Sequence, residues 1–126
     1  IELGDNDESE PLLFLATHLD YRPDDTERKW SIKKIEETLA DRPHIPAILA
    51  GDLNASPDSP VMAEFAKTWK RANDKGLSTF PAAKPTKQID YILVRPAARW
   101  EAVEVRVLDE AVASDHRPLL AVLRRK

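Results

Sequence analysis

The chain has no cysteine, which excludes disulfides, thiolate metal sites and thiol nucleophiles and leaves the redox compartment unspecified. It also lacks any apolar run approaching the roughly 20 residues that a membrane-crossing helix needs. No internal repeat or low-complexity tract is present. Strong charge of one sign is missing too: a net charge of −3 and a pI of 5.6 give no general attraction to a polyanion, so nucleic acid is not indicated as a partner unless a local basic patch forms. The start, Ile1-Glu2-Leu3-Gly4-Asp5, resembles neither a signal peptide nor an initiator-methionine terminus and reads as a cut end.

What is present fits one domain. The 126 residues are 42% hydrophobic and 33% charged, enough for a packed core under a well-solvated surface. Residues 1–10 are acidic and polar and read as a flexible lead-in loop, which leaves 11–126 as the structured unit. Leu12-Leu13-Phe14-Leu15-Ala16 is a short continuous apolar run, as expected of a strand covered on both faces. From Asp24 to about Arg42 the pattern turns helical. Asp24 and Glu27 form a capping-box-like start, Ile32, Ile35 and Leu39 share a face, and Pro43 and Pro46 close the segment. Ala47-Ile48-Leu49-Ala50 is a second buried strand ending at Gly51, and strand-helix-strand order implies a parallel pair with a right-handed crossover.

Ser59-Pro60 has the character of an N-cap and first turn, and Val61, Phe65 and Trp69 recur every four residues, predicting a helix over 59–70. Residues 71–87 carry Gly76, Pro81 and Pro85 among polar groups and read as a surface loop near the site, with Lys75, Lys84 and Lys87 as candidates for its substrate side. Strands are expected at 89–94, at 102–108 with Val103, Val105 and Val107 alternating against charges, and at 119–123. Trp30, Trp69 and Trp100 form no stacking platform and are expected in core or interface packing.

Chemistry-bearing residues gather where these runs meet solvent, in Thr17-His18-Leu19-Asp20, Gly51-Asp52-Leu53-Asn54, Gln88-Ile89-Asp90-Tyr91 and Ser114-Asp115-His116-Arg117-Pro118. Strand ends are where open α/β sheets place ligands. His18 and Asp52 follow their strands, whereas Asp90 and His116 lie at or before the start of theirs. One shared pocket therefore requires the 89–94 and 119–123 strands to run antiparallel to the first two, in a mixed sheet. Asp52 is suited to orient or deprotonate a water, and the Asn54 amide can both donate to a phosphoryl oxygen and accept from a nucleophile. Asp115 is a hard oxygen donor beside the titratable His116, a pairing that suits Mg²⁺ or Mn²⁺ better than zinc. Asp90 is a candidate partner that would fix the tautomer of His116 and favour its protonated form.

Each cluster alone has an ordinary structural alternative. Gly-Asp-Leu-Asn is also a turn sequence, Asp115-His116 a salt-bridged loop, Asp90 an edge charge and His18 a satisfied structural histidine. Asp20 is better suited to anchor its loop than to react, and His44 reads as a surface residue.

Taken in order, the four motifs resemble the C-terminal half of the endonuclease/exonuclease/phosphatase superfamily, with its DNase I-like fold, over residues 12–123. The resemblance implies an α/β (α+β) architecture: a mixed β-sheet with helices on one face, forming half of a four-layer α/β-β/α sandwich. It also implies a metal-dependent phosphoesterase acting on phosphate mono- or diesters. Carried over, His18 is similar to the histidine that stabilises charge on the phosphoryl group and Asp52 to the residue that activates or aligns the attacking water. Asn54 is similar to its companion, Asp90 to the carboxylate that orients the last histidine, and His116 to the phosphate-contacting histidine. Asp115 resembles a metal-site acid, with Asp52 and Asn54 as further candidate ligands for Mg²⁺ or Mn²⁺.

The resemblance implies as well that an N-terminal half, bearing an asparagine and the principal metal-binding glutamate, has no counterpart in these 126 residues. A deliberate truncation, a proteolytic remnant and a natural half-length protein would all account for that. An apolar sheet face is then expected to be covered by the missing half or by a second copy. The competing reading is a non-catalytic binding or assembly module that retains the motifs.

Overall fold

The computed structural model describes residues 11–73 and 76–126. The lead-in at 1–10 and Lys75 lie outside the described residues. Among the described residues, six strands and two α-helices follow the order β1 (Leu13–His18), α1 (Thr26–Leu39), β2 (Ala47–Asp52), α2 (Pro60–Phe65), β3 (Lys70–Arg71), β4 (Asp90–Arg95), β5 (Trp100–Val107) and β6 (Leu119–Arg125). A single 3₁₀ turn, Ala97–Arg99, links β4 to β5.

The main sheet has the order β1-β2-β4-β3 and is mixed. β1 and β2 are parallel, joined through α1, and β4 runs antiparallel to β2, as sharing one pocket among His18, Asp52 and Asp90 demands. The 119–123 segment differs from expectation: β6 pairs with β5 in a separate antiparallel two-stranded sheet rather than entering the main ladder. A register irregularity between Ala102 and Glu104 interrupts the alternation of β5, and Val103 is left half-exposed. Bulges of this kind re-aim side chains.

Side chains alternate across a strand, so each face of the main sheet can be read from the register. Leu13, Leu15, Ala47, Leu49, Tyr91 and Leu93 lie on one face, and this is the face that joins Ile32, Leu39, Val61 and Phe65 in the core. Leu49, Val61 and Leu93 are fully buried, each contributing about 1.5–3 kcal/mol of transfer free energy. The opposite face carries three rows across β1, β2 and β4. They are Phe14–Ile48–Val94, then Ala16–Ala50–Ile92, then His18–Asp52–Asp90. That face is apolar at one end and ionisable at the other, and Phe14 on it is half-exposed.

Helix α1 buries Ile32 and Leu39, as its spacing requires, but starts differently from the expected capping box. Asp24 Oδ1 accepts from the Thr26 backbone N–H at 2.9 Å and from its hydroxyl at 2.7 Å. Glu27 pairs instead with Arg22 at 3.0 Å. Helix α2 is shorter than the 59–70 pattern suggests. Ser59 accepts from Met62 N–H as N-cap, but the chain leaves the helix after Phe65 and Trp69 is captured by α1. Its indole N–H donates to Glu36 at 2.7 Å, and the Arg95 guanidinium lies 5.1 Å from its ring centroid. Trp69 and Trp100 are buried, whereas Trp30 stands 66% exposed on α1. It belongs to no core.

Candidate active site

The candidate site is built from the ends of three neighbouring strands and two loops. The register pairs His18 with Asp52 across β1/β2, and Asp52 with Asp90 across β2/β4. Three ionisable side chains from distant parts of the chain thus stand in one row. β1 and β2 approach closely there because Gly51 has no side chain: an added Cβ would lie 1.7 Å from the Thr17 carbonyl oxygen.

Beyond Asp52 the chain turns sharply at Asn54, which adopts φ +47°, a left-handed conformation that asparagine tolerates better than most residues. The Asp52 carboxylate accepts from Asn54 N–H at 2.8 Å, and the Asn54 amide donates to the Leu19 carbonyl at 2.9 Å. That amide therefore ties the ends of β1 and β2 together while retaining its carbonyl oxygen and a second N–H for a ligand. Tyr91, on the other face of β4, is buried, and its hydroxyl lies within donating distance of the carbonyls of Ala55 at 2.7 Å and Gln88 at 3.0 Å. In Ile-Asp-Tyr-Ile, Asp90 faces the site while Tyr91 holds the loop beneath it.

His116 arrives from the loop before β6. Its Nδ1 lies 2.8 Å from Asp90 Oδ2, and its ring is 4.9 Å from that of Phe80, centroid to centroid. The loop is fastened to residues 79–82 through Ala82 N–H to the Asp115 carbonyl at 2.7 Å, Arg117 N–H to the Thr79 carbonyl at 2.8 Å, and the Arg117 guanidinium to the Ala82 carbonyl at 2.6 Å. The same Asp90 oxygen accepts a hydrogen bond from the Thr79 hydroxyl. With Nδ1 turned toward Asp90, His116 Nε2 points inward, 3.9 Å from Asp52 Oδ2, and His18 Nε2 approaches that oxygen at 3.5 Å.

His18, Asp52, Asn54, Asp90, Asp115 and His116 all line one open cavity of about 500 Å³, joined there by Tyr21. The Asp115 side chain is exposed at its rim. Asp20 lies outside this group: its carboxylate accepts from Arg22 N–H at 3.1 Å and from the Arg22 guanidinium at 2.9 Å, and so anchors the loop. His44 is exposed. Of the expected lysines, Lys87 places its ammonium 5.8 Å from the Phe80 ring centroid.

Three contributors were not legible in the motifs. Thr79 sits in a loop without periodicity, and nothing in the sequence near it signals Asp90. Arg28 of α1, buried and donating to the Asp20 carbonyl beside the site at 2.7 Å, is a charged residue in an amphipathic helix, where burial is not expected. Tyr21 follows the Thr-His-Leu-Asp cluster directly, and adjacency was its only signal.

The charges shape one another. Burial works against the charged form of His116, but the hydrogen bond and negative charge of Asp90, together with Asp52 and Asp115, outweigh it and raise its pKa above the ordinary 6.5. Burial pushes the Asp52 carboxyl above the ordinary 3.8; the charge of Asp90 adds to that, while the Asn54 N–H and the histidines oppose it. The consequence for His116 has a definite sign. The Asp90 pairing stabilises the fold fully below about pH 6.5, and that contribution is lost as pH rises through the raised folded-state value. Asp90→Asn is expected to shift the ring-proton titration midpoint of His116 downward in NMR spectra. An unchanged midpoint would contradict this account.

Side-chain donors of Asp52, Asp90 and His116 all lie within 4.8 Å of one another. Asp90 Oδ2 and His116 Nδ1 are already engaged with each other, and Asp115 stands outside this group, lining the same cavity. An Asp/Asp/His group lining an open cavity has the donors to hold a metal ion.

The α/β domain thus has a mixed sheet carrying a His/Asp/Asp row, completed by an Asp-oriented histidine from a neighbouring loop. The model of the endonuclease/exonuclease/phosphatase family matches residues 3–116, and the chain belongs to that family. Among solved structures, it is similar to a functionally unknown conserved protein from Enterococcus faecalis V583, with 27% identity and a TM-score of 0.79, covering 96% of this chain and 53% of that one. A family protein from Bacteroides thetaiotaomicron is 23% identical with a TM-score of 0.78, covering 94% and 51%. The mannosyl-6-phosphatase Bt3783 of Bacteroides thetaiotaomicron VPI-5482 is 22% identical with a TM-score of 0.69, covering 88% and 50%. The chain thus spans about half the length of these structures. No curated protein matched it.

Proposed function

We propose that this chain supplies the His/Asp-bearing part of a metal-dependent phosphoesterase site that hydrolyses phosphate mono- or diesters by attack of water. The observation that carries the reading is the convergence of six side chains from four motifs on one cavity. Asp90 holds His116 so that Nε2 faces inward, and the protonated ring donates to a non-bridging phosphoryl oxygen, where negative charge concentrates. His18, at the other end of the row, contacts the phosphoryl group from the opposite side. Asp52, made a better proton acceptor than an exposed carboxylate by burial and by Asp90, aligns the water and takes its proton. Asn54 contributes its remaining amide N–H to the phosphate. A divalent cation held by Asp52 and Asp115, with Asn54 as a further ligand, would act as a Lewis acid on the phosphoryl oxygen.

The apolar rows Phe14–Ile48–Val94 and Ala16–Ala50–Ile92 lead directly to the reacting row. We propose that further polypeptide of the same protein, or a second copy of this chain, covers them and thereby supplies the opposite wall of the site. The half-length coverage of the solved relatives supports this reading. By sedimentation, the isolated chain is expected to self-associate or to bind a hydrophobic dye. A dye-silent monomer would count against a covering partner.

The non-catalytic alternative is separated by calorimetry. Titration with Mg²⁺ or Mn²⁺ is expected to give a binding isotherm that Asp115→Ala weakens, whereas an inert wild-type chain would favour a binding module. Turnover of bis-(p-nitrophenyl) phosphate by the isolated chain is expected to be poor even with Mg²⁺. Robust turnover that Asp52→Ala abolishes would show that the covering polypeptide is dispensable.

A further inference from the structure

Among the described residues, Tyr21 is the one phenylalanine, tyrosine or tryptophan lining the site cavity, and it is 80% exposed. Leaving an aromatic ring in water forgoes burial that the core could have used, yet the backbone beneath this ring is unusually constrained. Arg28, reaching back from α1, is only 5% exposed, and its Nη1 donates to the carbonyls of both Asp20 and Arg22, each at 2.7 Å. The residues on either side of Tyr21 are therefore tied to a single buried nitrogen. Arg28 is itself held by Asp25 at 2.5 Å, and the Asp20 carboxylate closes the loop from the other side through Arg22. A buried guanidinium with this many partners is a costly device for an idle loop. What it fixes in space is the backbone that carries Tyr21, an exposed residue lining the same cavity as His18 and Asp52.

We infer that Tyr21 forms a leaving-group subsite: its ring takes, face to face, the ring of the alcohol esterified to the phosphate, an aryl or sugar group, while the phosphate sits among the histidines. This rests on the phosphoesterase reading above and adds to it a preference among esters. Inorganic phosphate would use the phosphate site alone, whereas a ring-bearing ester would use both.

The test measures dissociation constants of the full 126-residue chain, with Mg²⁺ present, for inorganic phosphate, phenyl phosphate and a hexose 6-phosphate. Wild type is expected to hold at least one ring-bearing ester about three- to tenfold tighter than inorganic phosphate, the range typical of aromatic contacts. Tyr21→Ala should erase that preference and leave the inorganic phosphate constant unchanged, while Tyr21→Phe and Tyr21→Trp retain it. A Tyr21-dependent preference for phenyl phosphate alone assigns an aryl group to the subsite, and one for the hexose ester alone assigns a sugar. If both preferences survive in Tyr21→Ala, the subsite is wrong and the phosphate site stands. If no phosphate species binds wild type, the phosphoesterase reading fails and the subsite with it.

Discussion

Replacing Gly51 with alanine is expected to cost about 3–5 kcal/mol, a large part of the stability of a domain this size. Two effects add. A Cβ at this position would sit 1.7 Å from the Thr17 carbonyl oxygen and 2.8 Å from its carbon, and both are backbone atoms that no rotamer change can move aside. The residue also adopts φ +152°, which side-chain-bearing residues rarely occupy. Relief requires β1 and β2 to part at the Thr17–Gly51 pair, one residue before His18 and Asp52. Urea unfolding is the direct measurement, and a loss below about 1 kcal/mol would show that the strands can separate there without penalty. The variant should also lose metal and phosphate binding in proportion to its unfolded fraction.

Asp52→Asn is expected to act in opposite directions on activity and stability. In whichever form of the protein turns over phosphate esters, kcat should fall about 10²- to 10⁴-fold, the scale of a lost general base. The isolated chain, by contrast, should melt about 2–4 °C higher. Asp52 is partly desolvated and stands beside the charge of Asp90, so its ionised form carries a penalty that is present at neutral pH and disappears as pH falls through its raised pKa. Asparagine keeps an acceptor for the Asn54 N–H and removes the charge. Thermal melts at pH 7 and near pH 4 should show the gain at the higher pH only. A variant less stable than wild type at pH 7 would mean that the contacts with His18 and His116 outweigh the repulsion.

Much of this arrangement could be read from the residues because it depends on local patterns. Continuous apolar runs marked β1 and β2, prolines bounded α1, and the positions of His18, Asp52 and Asp90 relative to their strands required β4 to oppose β2. What could not be read depends on contacts between distant segments. The helical spacing of Val61, Phe65 and Trp69 continues past the end of α2, because Trp69 is buried by Glu36 and Arg95 rather than by helical geometry. Residues 119–125 carry a strand pattern that does not say which neighbour they choose, and they choose β5. Thr79 and Arg117 act through hydrogen bonds to residues 11 to 38 positions away, and Arg28 through its burial against the loop before its helix, for none of which sequence offers a period.

His18, Asp52 and Asp90 owe their spacing to two ladder registers rather than to loops. Sliding either ladder by one residue would send a reacting group to the helix-covered side. Lengthening or shortening any strand between the sheet's far edge and this row should therefore be forbidden to evolution and to the protein engineer alike. The connection after β1 is free of that rule, whereas the loop before β6 is bound to the site through His116. On the phosphoesterase reading, descendants of such a chain can exchange one ester for another by rewriting the residues that follow His18 while the weave of the sheet stays fixed.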